Sequence, residues 1–466
     1  MEKIRKTLAD SKVARWTALG VVAFTMLCGY YLTDVMAPLK TMLEQQLSWS
    51  SSEYGTFTGA YGWFNVFLIM LILGGIILDK MGVRFTGKMA TLLMVVGTAI
   101  KYWAVSTNML DGQMLFGMKT QVLVASLGFA TFGVGVETAG ITVSKIIVKW
   151  FRGKELALAM GLEMATARLG TMLALQTSAP LAKAMGHVSM PILIALILLC
   201  IGVIAFFIYC GMDKRLDASI AEADKDLVQE PEESFKLKDI GFIIKNRGWW
   251  YIAILCVLFY SAVFPFIKYA SDLMVNKFGV DPATAGIIPS LLPVGTMILT
   301  PFFGNLYDRK GKGATIMIIG AVLLIFVHAM FSVPFLNKPY QAVMLIIVLG
   351  IGFSLVPSAM WPSVPKIIPM KQLGTAYALI FWVQNWGLMG VPMLIGWVLD
   401  KYCITGSRMI DGISVPTYNY QIPMMIFTSL GLLAIVFGFL LKAEDKKKGY
   451  GLEKPNIEKE TIIKEL

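Results

Sequence analysis

The sequence predicts an all-α membrane protein of twelve transmembrane helices, arranged as two pseudo-symmetric six-helix halves. Three observations predict it. Hydrophobic residues make up 56% of the chain and charged residues only 15%, where soluble domains carry about 25% charged residues. The apolar residues fall in runs of about 20, the length a bilayer requires. One polar phrase occurs twice, half a chain apart: Gly75-Ile-Ile-Leu-Asp79-Lys-Met-Gly82-Val-Arg84 and Gly304-Asn-Leu-Tyr-Asp308-Arg309-Lys-Gly311-Lys312. Both share the spacing Gly-x3-Asp-x2-Gly, with basic residues after the aspartate. A charged tight turn repeated once per half marks a duplicated bundle.

Length and hydropathy place the spans at 16–39, 54–79, 85–105, 121–148, 155–182, 190–211, 249–275, 284–307, 314–333, 340–365, 372–399 and 421–442. Backbone polar groups in hydrocarbon must be satisfied within the segment, so these are helices. The first run, Trp16 to Leu39, is too long for the core of a signal peptide and lacks a small-residue cleavage site. An even count puts both termini on one side. Lysine and arginine crowd that side at Lys3, Arg5, Lys6, Lys12 and Arg15, again at Lys80, Arg84 and Lys88, and at Arg309, Lys310 and Lys312. The opposite loops carry only dispersed lysines, among them Lys40, Lys101 and Lys119. The bias places both termini in the cytoplasm.

The organisation expected is a cytoplasmic N-terminus (1–15), a first half (16–211), a cytoplasmic linker (212–248), a second half (249–442) and a disordered tail (443–466). The linker mixes charges around Glu230-Pro231-Glu232-Glu233 and suits a partly helical segment on the membrane surface. A second trace of duplication lies in Gly153-Lys-Glu155-Leu-Ala-Leu158 against Gly374-Thr-Ala-Tyr-Ala-Leu379, which sets Glu163 opposite Gln384.

Several function classes are excluded. The net charge of +11 sits in short loops rather than in a basic stripe with interleaved aromatics, so no nucleic-acid partner is expected. The five cysteines are scattered without metal or redox spacing, so no metal or cofactor is expected. No nucleophile–base pair or phosphate loop supports an enzyme.

Ionisable groups inside spans are costly and mark function. Glu137 lies mid-way along the fourth span and Arg168 mid-way along the fifth. Antiparallel neighbours bring two mid-span residues to one depth. The two charges then form either a structural ion pair or a substrate site with two poles. In the second case a zwitterion would set its amine on Glu137 and its carboxylate on the fork of Arg168. Lys145, near the cytoplasmic end of the fourth span, is expected to snorkel rather than bind, and Glu163, on a different face from Arg168, is expected to cap an inner gate or pair with Lys145. Asp34 suits an outer gate, a proton-linked role or a plain interfacial position. Lys268 and Asp272, four apart, suit a local pair. His328 reads as structural rather than as a proton relay. Prolines are expected to interrupt the seventh span at Tyr260-Ser-Ala-Val-Phe264-Pro265 and the tenth at Pro357, Trp361-Pro362 and Pro365. Trp361 is a candidate ligand cover, since an indole stacks and still donates a hydrogen bond.

The doubled Gly-x3-Asp-x2-Gly loops resemble the signature of the major facilitator superfamily, over nearly the whole chain. Finer phrases are similar to the animal lysosomal dipeptide transporters, the major facilitator superfamily domain-containing protein one family. These are Tyr31-Leu-Thr-Asp34, Trp150-Phe-Arg152-Gly-Lys-Glu155-Leu running on to Ala165-Thr-Ala-Arg168-Leu-Gly170, Phe259-Tyr-Ser-Ala-Val-Phe-Pro-Phe266, Met360-Trp-Pro362, and Gln372-Leu-Gly-Thr-Ala-Tyr377 with Gln384-Asn385. The resemblance implies a rocker-switch transporter in which Glu137 and Arg168 hold the ends of a dipeptide and Trp361 lines the cavity. Tyr260, Gln384 and Asn385 complete the expected substrate site. Asp79, Arg84, Asp308 and Arg309, with Gly75 and Gly304, form the expected gate. Asp34 or Glu137 would carry a proton, and uniport without an ion is equally open. Short loops and a compact form point to a bacterial inner (plasma) membrane, and analogy with the architecture implies a monomer. Two rivals remain. One is an organic-anion exchanger, which Arg168 suits and Glu137 does not. The other is a non-transporting sensor or scaffold, which has no need of two gates.

Overall fold

The computed structural model describes residues 7–151, 154–223, 237–369, 372–410 and 412–456. Its first half comprises α1 (Lys12–Asp34), α2 (Lys40–Leu47), α3 (Ser51–Gly59), α4 (Trp63–Phe67), α5 (Met70–Ser106), a two-residue hairpin β1–β2 (Met114–Leu115, Met118–Lys119), α6 (Thr120–Phe151), α7 (Leu156–Met185) and α8 (Met190–Ala223). After α9 (Leu237–Ile243), the second half comprises α10 (Arg247–Phe278), α11 (Ile287–Lys310), α12 (Gly313–Ser332), α13 (Pro339–Ile367) and α14 (Leu373–Tyr402). A hairpin β3–β4 (Ile404–Ile410, Ile413–Tyr418) and α15 (Gln421–Lys448) complete it.

Among the described residues, eleven segments are long and apolar enough to cross a membrane. The twelfth crossing is the second one, and it is broken. It starts as α3, passes a 3-10 turn at Ala60–Gly62, continues as α4, breaks at Ile69 in the left-handed region (φ 54°) and resumes as the first part of α5. Contacts with α6 establish that it is a single crossing. Lys119 binds Glu53 at 3.3 Å, Tyr61 binds Glu137 at 2.6 Å, and Lys145 binds Asp79 at 3.3 Å, in matching order along both. Side chains such as Ile204, Phe302 and Phe439 are exposed on the outside of the bundle, where lipid replaces water.

The duplicated phrase breaks the helix twice, each time at its second glycine. Gly82 (φ 76°, ψ 173°) separates the second crossing from the third, both within α5. Gly311 (φ 68°, ψ −135°) separates α11 from α12. Positive φ is open to glycine at little steric cost, which explains the second glycine of each phrase.

Several expectations are corrected. The prolines do not interrupt their helices: α10 runs through Pro265, and α13 through Pro357, Pro362 and Pro365. Residues 212–223, the start of the expected linker, continue α8, and there Asp213 and Asp217 hold Arg84 and Lys149. The acidic centre of the linker, 224–236, lies outside the described residues, as does Arg152. On the side of the termini, Lys154 bonds Asp10 at 2.8 Å and holds its carboxyl down at about 2.

The tail is folded as far as Asn456; residues 457–466 lie outside the described residues. Leu452 is fully buried. Glu453 accepts from the Thr315 amide at 3.0 Å and from its hydroxyl at 2.8 Å, so it caps the amides that open α12. Lys366 donates to the carbonyls of Gly451 and Lys454. Asn456 donates to Asp308 Oδ1 at 2.7 Å. Glu453→Ala is therefore expected to cost about 1 kcal/mol, the usual loss of a helix cap. A lower thermal midpoint in detergent than wild type checks this.

Candidate functional site

The two halves meet chiefly on the side opposite the termini, here the far side. Lys268 of α10 bonds Asp34 at the end of α1 at 2.6 Å. Lys40 of α2 bonds Asp272 of α10 at 3.1 Å. Asp400 of α14 accepts from the first amides of α3, Ser51 at 3.0 Å and Ser52 at 2.6 Å, where a carboxylate complements the helix dipole. The hairpin β3–β4 reaches across as well: Gln45 donates to the Ile410 carbonyl, and Tyr418 bonds Glu44 at 2.9 Å. The sequence concealed this closure. Lys268 and Asp272 do not pair with each other; each crosses to the other half. Lys40 and Lys101, read as loop lysines, are both buried, and Lys101 lies over the Phe129 ring with Nζ on the Leu32 carbonyl.

Beneath the closure lies a cavity of about 340 Å³ walled by both halves. Its lining continues to Ser144, Ile147 and Met160, near the ends of α6 and α7 on the termini side. Glu137 and Arg168 both face it. They do not pair: among the described residues no ion pair joins them, and Glu137 instead accepts from the Tyr61 hydroxyl at 2.6 Å. The Arg168 guanidinium is surrounded by ring faces, those of Phe264, Tyr30 and Phe353 at 5.3, 5.7 and 5.9 Å. Aromatic faces stabilise the cation without occupying its hydrogen bonds. The arrangement thus presents a carboxyl and a guanidinium, of opposite sign, to one space.

Tyr260, Trp361 and Gln384 line the same cavity from the second half. Trp361 donates to the Tyr260 hydroxyl at 3.1 Å and stacks on Phe381 at 4.9 Å. Asn385 does not reach the cavity. It is buried with its amide on the Phe381 carbonyl, because successive helical residues point about 100° apart. Glu163, expected on another face, also lines the cavity, and Asp34 reaches it with Lys268. Sequence reasoning missed Tyr61, whose only signal was its place in an aromatic, glycine-rich stretch.

The expected gate residues lie away from the cavity, on the termini side. Asp79 bonds Lys145 and Asp308 bonds Asn456. Among the described residues, Arg84 binds Asp217 at 2.8 Å, and Arg309 donates to Asn305 on its own helix. A Cβ added at Gly75 or Gly304 would meet nothing within 4 Å. His328 is buried between Phe266 and Phe427 with Nε2 at 3.0 Å from the Ala262 carbonyl, a structural setting.

Two six-helix halves closed over a two-poled cavity on one side of a membrane define a transporter of small molecules. The chain belongs to the Major Facilitator Superfamily, whose family model matches it over residues 19–392 and 271–462. It resembles the lysosomal dipeptide transporter MFSD1 of Mus musculus, 29% identical over 401 residues that cover 83% of this chain and 80% of the relative. Solved structures share the fold. A bacterial homologue of the human lysosomal transporter Spinster, inward-facing and unoccupied, has a TM-score of 0.67 at 13% identity, over 92% of this chain and 97% of that one. A mutant of the peptide transporter POT has a TM-score of 0.64 at 14% identity, over 94% of this chain and 95% of that one.

Proposed function

We propose that this transporter carries dipeptides, or similar small zwitterions, by alternating access in a plasma membrane, as a monomer with both termini in the cytoplasm. The observation that carries the reading is that Glu137 and Arg168 face one cavity without pairing. A structural ion pair would have consumed both charges, and an anion exchanger would have no use for Glu137. The peptide amine binds Glu137, the carboxylate binds Arg168, and Trp361, Tyr260 and Gln384 cover the body between them. The likeness to dipeptide transporters over four-fifths of the chain supports the same substrate class.

Asp79, Arg84, Asp308 and Arg309 serve the gate on the termini side. The open faces at Gly75 and Gly304 then receive the opposing helices when that side closes. Transport proceeds by uniport or with a proton on Glu137 or Asp34. The test is counterflow in proteoliposomes with a labelled dipeptide and, separately, labelled oxalate. Exchange of dipeptide alone is the expected result; exchange of oxalate but no dipeptide would assign the cavity to anions. Loss of any pH-gradient dependence in Glu137→Gln would assign the coupling proton to that residue.

A further inference from the structure

The far-side closure contains a group of charges that does not balance. Glu44 of α2 and Asp272 of α10 converge on a single ammonium: Lys40 Nζ lies 2.6 Å from Glu44 and 3.1 Å from Asp272. All three side chains are almost wholly buried, at 2% exposure or less. The remaining partners are neutral. Thr41 donates to Asp272 at 2.8 Å, Tyr418 to Glu44 at 2.9 Å, and Tyr420 to Asp272. Ser51 lies 3.4 Å from Glu44. The Lys40 ammonium also rests on the Tyr418 ring.

Among the described residues, Arg408 of β3 has Nε and Nη2 buried without a hydrogen-bond partner, and no ion pair joins it to Glu44 or Asp272. The other charges on neighbouring elements are engaged. Lys268 is paired with Asp34, Glu53 with Lys119, and Asp400 with the amides that open α3. Lys277, further along α10, donates to the carbonyls of Phe331 and Val333. The phenols of Tyr54 and Tyr269 donate to carbonyls. Two carboxylates and one ammonium therefore share a water-poor interface, and one full negative charge there would be left uncompensated. Such a charge is neutralised by binding a proton. The acid oxygen best suited to hold it is Glu44 Oε2, which is buried and has no hydrogen-bond donor among the described residues.

The three residues come from both halves. Lys40 and Glu44 sit four apart on α2, while Asp272 belongs to α10. When the far side opens, Lys40 and Glu44 keep each other and Asp272 meets water. We propose that Glu44 and Asp272 form a proton-binding site that exists only while the far side is closed. One proton is taken from the far compartment as the halves close there, and returns to it as they part. Acid on that side then favours the form whose cavity is reached from the termini side, independently of any proton carried across with substrate. The proposal rests on alternating access but not on the identity of the substrate.

The experiment reads conformation in the absence of peptide, so its failure is distinct from failure of the dipeptide reading. Spin labels are placed at Met109→Cys and Phe335→Cys, on exposed far-side loops of opposite halves, in a Cys200→Ser background. Distances are measured by pulsed electron resonance in nanodiscs from pH 5 to pH 8. In wild type the ratio of closed to open far side should fall by about tenfold per pH unit within that range, the slope for one proton. Glu44→Gln and Asp272→Asn each leave one carboxylate for one ammonium, and each should flatten the slope by about one proton. A simple ionic lock would instead weaken closure in both variants and leave the slope unchanged. A flat wild-type profile, or a slope that survives in whichever variant elutes as a folded monomer, overturns the proposal.

Discussion

Arg168→Ala will reduce dipeptide counterflow to background, and Arg168→Lys will reduce it at least tenfold, while both variants elute as folded protein. The environment of the residue sets this expectation. Its guanidinium faces the cavity among Phe264, Tyr30 and Phe353, and among the described residues no carboxylate pairs with it. The ring faces hold a planar cation in place and leave its donors for a ligand. A peptide carboxylate received by the fork gains two charge-assisted hydrogen bonds in one geometry. Lysine retains the charge but offers a compact ammonium without that fork, and it stacks less well on rings. A tenfold loss corresponds to about 1.4 kcal/mol, a modest share of what a buried bidentate pair contributes. Wild-type exchange in the lysine variant would mean that the site reads charge alone. Dipeptide exchange in the alanine variant would remove Arg168 from the site.

The crossings were legible because their signal is local. A run of about 20 apolar residues has few alternatives to a membrane helix. The repeated phrase also carried its turn with it, since Gly82 and Gly311 both need the positive φ that other residues resist. What stayed hidden depends on distant partners. The tail reads as solvated charge until Glu453 meets Thr315 at the start of α12. The hairpin β3–β4 reads as loop until Val415 and Tyr418 are buried against the bundle. The break at Ile69 has no glycine to announce it. The prolines of α13 point the other way: they predicted interruptions, yet the helix continues, because a bundle offers other partners for the freed carbonyls.

The same division runs through the site. Depth along two antiparallel spans was enough to bring Glu137 and Arg168 to one cavity. Spacing failed where two readings were local and the true partner was not. Lys268 and Asp272 have the separation of a helical pair, but their faces point to different residues of the opposite half, Asp34 and Lys40. Gln384 and Asn385 are adjacent in sequence, and helical geometry admits only one of them to the cavity. A sequence marks a buried charge as costly; which counter-charge meets it depends on the packing of the halves.

Gly396→Leu will hold the far side open and arrest exchange. The contact between α3 and α14 leaves no room for a side chain: a Cβ on Gly396 would collide with the Ser51 carbonyl and lie 3.0 Å from Gly55 Cα. A Cβ on Gly55 would in turn lie 2.6 Å from the Pro392 carbonyl. Small residues at such a crossing let two membrane helices approach backbone to backbone. Most of the obstructing atoms are main chain, so no rotamer change relieves the clash. The least costly response is for the halves to part, which separates Lys40 from Asp272 and Lys268 from Asp34 together. Leucine should therefore expose an engineered Ser52→Cys to a membrane-impermeant thiol reagent from the far side, with labelling several-fold faster than in the glycine parent. Dipeptide counterflow should fall at least tenfold in the same preparation. Gly396→Ala should give the same pattern in weaker form, since it adds a single methyl at the clashing position. Unchanged labelling in the leucine variant would mean that α3 and α14 remain packed as the halves alternate, and that the far side opens along another seam.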